Sequence, residues 1–281
     1  MHRPDRISRR EALARLSASA LLALGLWPRR QAQGASAAPG RPFRFLAVND
    51  LHHDTPACED WFAALVRQMR THERIDFVLL LGDLSDKGRL DSLTAIRRHF
   101  DTLGRPCYAQ IGNHDYLTPS DRRAYEQTFP GRLNYWFRHR GWQFIGIDST
   151  QGQEYRNTTI QPATLAWLDA TLPKLEPRLP TVLFTHFPLG PGVPMTPLNA
   201  EDVLQCLLPF NLQAVLSGHY HAYSFRPFGM ADVLTNRCCS LIRDNHDQSK
   251  EKGYWLCSAD GGQLSRQFVQ FQGPSRRQLP A

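Results

Sequence analysis

The stretch Asp76-Phe77-Val78-Leu79-Leu80-Leu81-Gly82-Asp83 decides the fold class of this chain of 281 residues. Its unbroken apolar run is typical of a strand that is buried on both faces. A second predicted strand, at 43–48, is apolar except for Arg44 and likewise ends at a polar pair, Asn49-Asp50. Strands of this kind lie in sheets that helices cover, so the pattern predicts an α/β fold.

Helical and extended patterns alternate on either side of this stretch. Apolar spacing predicts helices at 58–72, 90–103, 121–129, 162–172 and 200–208. It predicts strands at 43–48, 76–81, 106–111, 135–137, 142–147, 181–185 and 213–216, with short strands and no long helix after Ala222. The alternation followed by a β-rich end indicates one α/β domain of layered sheets.

The composition is that of a globular protein. Hydrophobic residues make up 42% of the chain and charged residues 21%, which excludes a disordered or collagen-like chain. No apolar run reaches the roughly 18–20 residues that a membrane-spanning helix needs. We therefore expect no integral membrane segment in the mature chain.

The N-terminus has the pattern of an export signal. A basic segment at 3–10 precedes an apolar segment at 13–27 and a small-residue end near Ala35-Ser36-Ala37. Ser8-Arg9-Arg10 resembles a bacterial twin-arginine signal, and an amphipathic helix with chance arginines is the alternative. We predict a signal peptide at 1–37, a working domain at 38–281, and a periplasmic or secreted protein.

The net charge of +7 comes mainly from the predicted signal. Residues 1–37 contain seven arginines and two acids, so the remaining chain has 26 basic and 24 acidic residues. A net charge of about +2 is too weak to indicate a stable nucleic-acid complex. The six cysteines include no Cys-x-x-Cys pair and leave their pairing open, and the adjacent Cys238 and Cys239 are expected on opposite faces of a strand.

Five polar motifs follow predicted strands. They are Asp50-Leu51-His52, Gly82-Asp83 with Asp86 three residues on, Gly112-Asn113-His114-Asp115, His186, and Gly218-His219-Tyr220-His221. Sites in open α/β sheets form beyond the carboxyl ends of the strands, so these motifs are expected to converge.

The residue types in these motifs are those of a metal site. A lone Asp after a strand is usually a turn or capping residue, but here two Asp, one Asn and four His occur together. Asp and His bind divalent cations such as Zn, Mn and Fe. Seven candidate ligands are too many for one tetrahedral site and suit two metals that share a bridging carboxylate.

In this order, the five motifs resemble those of the calcineurin-like metallophosphoesterase superfamily over 43–223. The run Gly82-Asp83-Leu84-Ser85-Asp86-Lys87-Gly88 is similar to the branch with bacterial cyclic-nucleotide phosphodiesterases. Asp86 stands where purple acid phosphatases carry a tyrosine, which argues against the purple branch. The resemblance implies a four-layer αββα sandwich of two mixed sheets flanked by helices, with the metals at the carboxyl ends of the strands.

The resemblance also implies a role for each residue. The first metal would be held by Asp50, His52 and His221, the second by Asn113, His186 and His219, and Asp83 would bridge both. His114 would act as the general acid, and Asp115 would orient it through a hydrogen bond. Asp86 stays open between a ligand contact and a loop cap. The lone residues His72, His99 and His139 are expected to be solvated.

The expected function is metal-dependent hydrolysis of a phosphate ester. A hydroxide activated by two metals (Fe, Mn or Zn) would attack phosphorus while His114 protonates the leaving group. We expect a phosphodiesterase whose substrate is a small molecule, such as a nucleotide or a phospholipid head group. The alternatives are an exported phosphomonoesterase or nucleotidase of the same fold, and a non-catalytic metal-binding scaffold.

Overall fold

The computed structural model describes residues 40–274, and the predicted signal at 1–37 lies outside them. In this range the helices are α1 (Ala57–Arg70), α2 (Leu90–Asp101), α3 (Arg123–Thr128), α4 (Pro162–Thr171) and α5 (Ala200–Cys206). The strands are β1 (Phe43–Val48), β2 (Ile75–Leu81), β3 (Cys107–Gln110), β4 (Tyr135–His139), β5 (Trp142–Gly146), β6 (Thr181–Phe184), β7 (Leu212–Ser217), β8 (Ser224–Phe228), β9 (Ala231–Thr235), β10 (Gly253–Asp260) and β11 (Gln263–Gln270). Each predicted helix and strand is present within a few residues of its predicted bounds.

The strands form two mixed sheets. The first sheet has the order β11-β10-β1-β2-β3, in which β1, β2 and β3 are parallel and β10 and β11 are antiparallel additions. The second sheet has the order β4-β5-β6-β7-β9-β8, with a parallel centre and antiparallel edge strands. Parallel neighbours end at the same edge of a sheet, which brings the residues that follow them together.

Side chains alternate between the two faces of the first sheet. Phe45 and Phe77 point towards the second sheet, with their rings stacked at 4.9 Å, and Phe144 of β5 meets the Phe45 ring edge-on at 5.5 Å. Leu46 and Val78, each the next residue along, face the opposite way into a separate apolar core. The apolar runs at 45–48 in β1 and 77–81 in β2 are therefore explained by burial on both faces.

Helices cover the outer face of each sheet. Phe62 of α1 and Phe100 of α2 are fully buried against the first sheet. Leu168 of α4 and Val203 of α5 are buried against the second. The predicted αββα sandwich is confirmed. No helix within 40–274 has the length and apolar content needed to cross a membrane.

Two smaller expectations were wrong. Cys238 and Cys239 lie in the loop between β9 and β10 and not in a strand, although Cys239 packs in the core while Cys238 faces Lys252. The three histidines expected in solvent, His72, His99 and His139, are partly buried. Each has a ring nitrogen 2.6–2.8 Å from a side-chain oxygen, which compensates for its lost contact with water.

Candidate metal centre

The loops after β1, β2, β6 and β7 bring acidic and imidazole side chains into two adjoining groups. One contains Asp50, His52, Asp83 and His221, and the other contains Asp83, His186 and His219. Within each group the potential ligand atoms all lie within 4.8 Å of one another, and every residue is buried. Because Asp83 belongs to both groups, its carboxylate is in position to bridge two ions.

The backbone at these residues is strained. Asp50, His52, Asp83, His219 and His221 all have positive φ, between 48° and 63°. Residues with a Cβ rarely adopt this left-handed conformation, and strained backbone persists only where the surrounding structure enforces it. The amides of Leu51 and His52 both donate to the carbonyl oxygen of Asp83 at 2.9 Å, which locks the first two loops together.

Two glycines allow the loops to approach each other. A Cβ at Gly112 would lie 2.1 Å from Oδ1 of Asp83, and a Cβ at Gly218 would lie 2.5 Å from Oδ2 of Asp50. Both distances are far shorter than van der Waals contact. Only glycine at these two positions leaves room for the carboxylates.

Each of the four histidines has one ring nitrogen beside an oxygen outside the two groups. The pairs are His52 Nδ1 with Asp86 Oδ1 (3.0 Å), His186 Nδ1 with Leu81 O (2.8 Å), His219 Nε2 with Tyr155 O (3.0 Å) and His221 Nδ1 with Asp244 O (3.3 Å). A nitrogen that donates to such an oxygen carries the proton, so the other nitrogen keeps its lone pair for a ligand. All four rings are thus oriented so that the second nitrogen can bind a metal once it carries no proton.

The inward-facing atoms fit a cation. Among residues 40–274, Asn113 Oδ1 and His186 Nε2 are buried side-chain atoms without a hydrogen-bond partner. His186 Nε2 lies 3.3 Å from Asp83 Oδ1, close enough for charge attraction but without hydrogen-bond geometry. Buried polar atoms of this kind are costly unless something binds them. Carboxylate, amide oxygen and neutral imidazole are all ligands of transition-metal ions, so the residues present fit such ions.

The two aspartates stay ionised despite their burial. Burial acts to raise the pKa of Asp50, but the adjacent His221 lowers it to about 2. Burial likewise acts to raise the pKa of Asp83, but His186 and His114 hold it well below its ordinary value. The centre therefore carries two buried negative charges at neutral pH.

The histidines of the second group differ in charge when no metal is present. Burial acts to lower the pKa of His186, but the Asp83 carboxylate raises it to about 9. Burial and the neighbouring His186 lower the pKa of His219 to about 3. A cation at His186 must replace that proton, so metal binding is expected to weaken as the pH falls.

Asp86 connects two histidines of the site to a distant loop. Its Oδ1 accepts from His52 Nδ1 and from the Arg243 guanidinium, with Nε at 2.8 Å and Nη2 at 2.6 Å. Its carbonyl oxygen lies 2.9 Å from Nδ1 of His114. Burial acts to raise the pKa of Asp86, but His52 and Arg243 lower it to about 2. Asp86 is therefore neither a simple loop cap nor a free ligand contact.

The predicted contact between Asp115 and the His114 ring was wrong. The main-chain oxygen of Asp86 occupies the position expected for the Asp115 carboxylate. Asp115 is fully buried and accepts from the amides of Ser85 and Gly112, both at 2.8 Å. Its carboxylate is held between two backbone donors and joins the loops after β2 and β3.

Sequence reasoning missed the contribution of the loop at 236–252. Arg243 contacts Asp86, the carbonyl oxygen of Asp244 lies beside His221, and the His246 ring stacks on the His221 ring at 5.3 Å. The only signal in the sequence is the polar run at 243–247, which is typical of a loop that could approach a substrate. No spacing rule connects this run to the earlier motifs.

A cavity of about 590 Å³ opens beside the metal centre. Asn113 and His114 form part of its wall, together with Tyr116, Leu117 and Tyr155. The His114 side chain is about one-third exposed, so its ring separates the buried centre from this open space. A small molecule in the cavity would contact the ring directly.

Comparisons with known proteins agree with this geometry. The family model for calcineurin-like phosphoesterases matches residues 43–223. A Synechococcus sp. protein named "Probable cyclic nucleotide phosphodiesterase" is 30% identical over 186 residues, which cover 64% of this chain and 70% of that protein. The 3′,5′-cyclic adenosine monophosphate phosphodiesterase of Pseudomonas aeruginosa is 28% identical over 209 residues, which cover 70% of this chain and 75% of that protein.

Solved structures show the same fold. The purple acid phosphatase from yellow lupin (Lupinus luteus) seeds superposes with a TM-score of 0.60 at 13% identity. The superposition covers 84% of this chain but only 52% of the lupin chain, so it supports the fold alone. Together with the matched motifs and the buried Asp/His centre, these findings show that the chain belongs to the calcineurin-like phosphoesterase family and is a binuclear hydrolase of phosphoric esters.

Proposed function

We propose that this protein is a phosphodiesterase and that a 3′,5′-cyclic nucleotide is its substrate. The observation that carries the proposal is the combination of a two-part Asp/His centre with an adjoining cavity that His114 lines. The two relatives described above carry cyclic-nucleotide phosphodiesterase names, which supports a diester over a monoester.

The proposed ligand set follows the two groups of side chains. Asp50, His52 and His221 would hold one transition-metal ion, Asn113, His186 and His219 would hold the other, and Asp83 would contact both. When bound, the two ions would supply a nucleophile from water at neutral pH and offset negative charge on the phosphate. Iron, manganese and zinc all suit these ligands.

His114 would donate a proton to the leaving group. Its Nδ1 donates to the carbonyl oxygen of Asp86, so a proton on Nε2 is the one that can move. Its own amide donates to Oδ1 of Asp83 at 2.9 Å, which fixes the ring relative to the bridging carboxylate. A proton delivered from Nε2 to the departing oxygen would prevent the release of a high-energy alkoxide.

The test is hydrolysis by the purified protein, stripped of metal and then reloaded with Mn, Zn or Fe in separate samples. Cyclic AMP and bis-p-nitrophenyl phosphate are compared with the monoester p-nitrophenyl phosphate. We expect metal-dependent turnover that favours the diesters. Preference for the monoester would overturn the diesterase proposal, and two bound metals without turnover of any ester would favour the scaffold.

A variant at His114 tests the proton donor separately. His114→Ala is expected to keep its metals and to lose about 10²–10⁴-fold in kcat, which is the usual contribution of a general acid. His72→Ala, in a partly buried histidine that contacts Tyr254, serves as the matched control. An unchanged rate in His114→Ala would remove His114 from the mechanism.

A further inference from the structure

The cavity beside His114 is lined in part by residues that are not candidate metal ligands. Its size of about 590 Å³ is within the usual range for small-molecule sites. Leu117 and Tyr155 line it and belong to none of the metal-binding motifs. They are 51% and 54% exposed, so the fold leaves two large apolar side chains open to solvent at this cavity. Apolar side chains exposed together at a cavity are typical of a binding site.

The main chain of Tyr155 is hydrogen-bonded to a histidine of the metal centre. Its carbonyl oxygen accepts from Nε2 of His219 at 3.0 Å, so the loop that carries the ring is held at the site. The Arg156 guanidinium lies over the Tyr155 ring at 5.3 Å and can cover only one of its faces. With more than half of the residue exposed, the ring retains surface for a ligand.

The charges at the cavity wall are largely neutralised. Lys87 and Arg89 line the cavity, and both pair with Asp54, at 2.8 and 3.2 Å. Arg89 also pairs with Asp91 at 3.3 Å, so two carboxylates balance the two cations at the rim. The cavity is therefore better suited to a flat, largely uncharged group than to a second phosphate.

The position of His114 determines which part of the substrate occupies the cavity. If His114 protonates the departing oxygen, the leaving side of the substrate must lie on the His114 side of phosphorus. We propose that the cavity binds the nucleoside whose oxygen departs from phosphorus and that Tyr155 is the residue that selects a planar nucleobase on it. In a 3′,5′-cyclic nucleotide, water adds its oxygen to phosphorus as one ester bond breaks, and the nucleoside stays attached through its other oxygen, so the product is a nucleoside monophosphate. The proposal rests on the proposed function, because it takes the proton donor from it.

The test separates binding from turnover. The wild-type holoenzyme is compared with Tyr155→Ala and Tyr155→Phe, using cyclic AMP and the aliphatic diester glycerophosphoethanolamine as substrates. Binding of AMP, the expected product, is measured by calorimetry. Since base stacking on an aromatic ring contributes to binding, Tyr155→Ala should raise KM for cyclic AMP and Kd for AMP by about 5- to 100-fold. Tyr155→Phe should retain both values, and KM for the aliphatic diester should not change.

Two controls make the outcomes distinct. Phe225→Ala removes an aromatic residue of similar exposure (40%) on the edge strand β8 and should alter neither substrate. Lys87→Ala tests for recognition of an anionic leaving group, and a larger effect there than in Tyr155→Ala would overturn the proposal.

The remaining outcomes also decide the question. Equal losses on both diesters in Tyr155→Ala would assign Tyr155 a structural role beside His219, and unchanged AMP binding would remove it from the subsite; either result overturns the proposal. Tyr155-dependent binding of AMP without turnover of any diester would support the base subsite and contradict the proposed phosphodiesterase.

Discussion

At the scale of single residues, Asp86 forms hydrogen bonds with two histidines of the site and with a distant arginine. Its side chain orients His52 and its main chain orients His114. One residue thus links a candidate metal ligand to the candidate proton donor. The Arg243 guanidinium holds the carboxylate from the other side, so the negative charge of Asp86 is balanced and its position fixed.

We expect Asp86→Asn to weaken metal binding by about 10- to 100-fold, since outer contacts of this kind orient ligating histidines and tune their basicity. The measurement is a metal titration against a competing chelator. Asp232→Asn removes an aspartate of another Asp–Arg pair, with Arg266, and serves as the control. Equal metal affinity in Asp86→Asn and the wild type would contradict the role assigned to Asp86.

The residue scale also shows what could be predicted from sequence and what could not. The seven candidate ligands and His114 were identifiable because each directly follows a strand and belongs to a short motif. Asp86 was recognised but its partners were not, because Arg243 lies 157 residues further along the chain. The contacts of Asp115 were predicted wrongly, since adjacency to His114 says nothing about the two backbone amides that bind its carboxylate.

At the scale of secondary-structure elements, the loop after β3 depends on a glycine. In Gly112→Ala, the new Cβ would lie 2.1 Å from Asp83 Oδ1, so the bridging carboxylate must move. We expect this variant to remain folded but to lose metal binding and turnover. Circular dichroism and metal content per chain are the measurements.

Gly131→Ala is the control for backbone strain without a clash. Gly131 has positive φ, at 70°, whereas the φ of Gly112 is −111°, and a Cβ at Gly131 meets nothing within 4 Å. This variant should lose some stability and keep its metals. Full metal content in Gly112→Ala would show that the loops can separate without harm, contrary to our expectation.

Glu59 of α1 forms ion-pair contacts with two residues of α2. Its carboxylate lies 2.6 Å from the Arg98 guanidinium and 2.7 Å from the His99 ring. Burial acts to raise the pKa of Glu59, but hydrogen bonds from His99 and Arg98 lower it overall. A lowered pKa in the folded state means that the stabilisation is present above the ordinary pKa of a glutamate and is lost as the pH falls through the lowered value.

We therefore expect Glu59→Gln to reduce the free energy of unfolding at pH 7 by about 0.2–1 kcal/mol, because the pair is partly exposed to solvent. The difference from the wild type should shrink as the pH falls below about 4. Urea unfolding at several pH values is the measurement. A difference that stays constant with pH would show that the charge of Glu59 is not the cause.

The elements themselves were the most predictable level of the structure. The apolar runs of β1 and β2 and the helical spacing of α1 reflect burial that is local in sequence. The loop at 236–252 was not predictable, because its structure depends on contacts with Asp86 and His221 and not on a repeating pattern of its own.

At the scale of the whole molecule, the metal centre lies between the two sheets. Asp50 and Asp83 follow strands of the first sheet, whereas His186, His219 and His221 follow strands of the second. Metal ions held by these residues would cross-link the two halves of the sandwich.

Removal of metal by a chelator should therefore lower the melting temperature. A ligand present at 100 times its Kd stabilises the folded state by about 2.7 kcal/mol, and each kcal/mol shifts Tm by about 2–4 °C in a domain of this size. We expect a fall of several degrees, reversed by added metal. The Tm of Asp83→Asn should change little when metal is removed or added. A wild-type Tm that stays the same after chelation would contradict the cross-link.

We also propose that residues 1–37 direct the protein out of the cytoplasm by the twin-arginine route. Replacement of Arg9 and Arg10 by lysine should retain the protein in the cytoplasmic fraction, since the arginine pair is the feature that such a signal carries. Replacement of Arg29 and Arg30 by lysine is the matched control. Export that persists without the first pair would contradict the proposal.

The left-handed backbone at the five metal-centre residues has a consequence for evolution in the laboratory. Each strained residue costs of order 1–3 kcal/mol, and replacement by glycine removes the strain. A library of this protein selected for heat resistance alone, in the absence of metal, would be free to accumulate such replacements at these five residues, as at the left-handed Arg74 and Arg140 outside the centre. The most heat-resistant variants would lack metal ligands and would be inactive. Selection for turnover would therefore have to accompany every round of selection for stability.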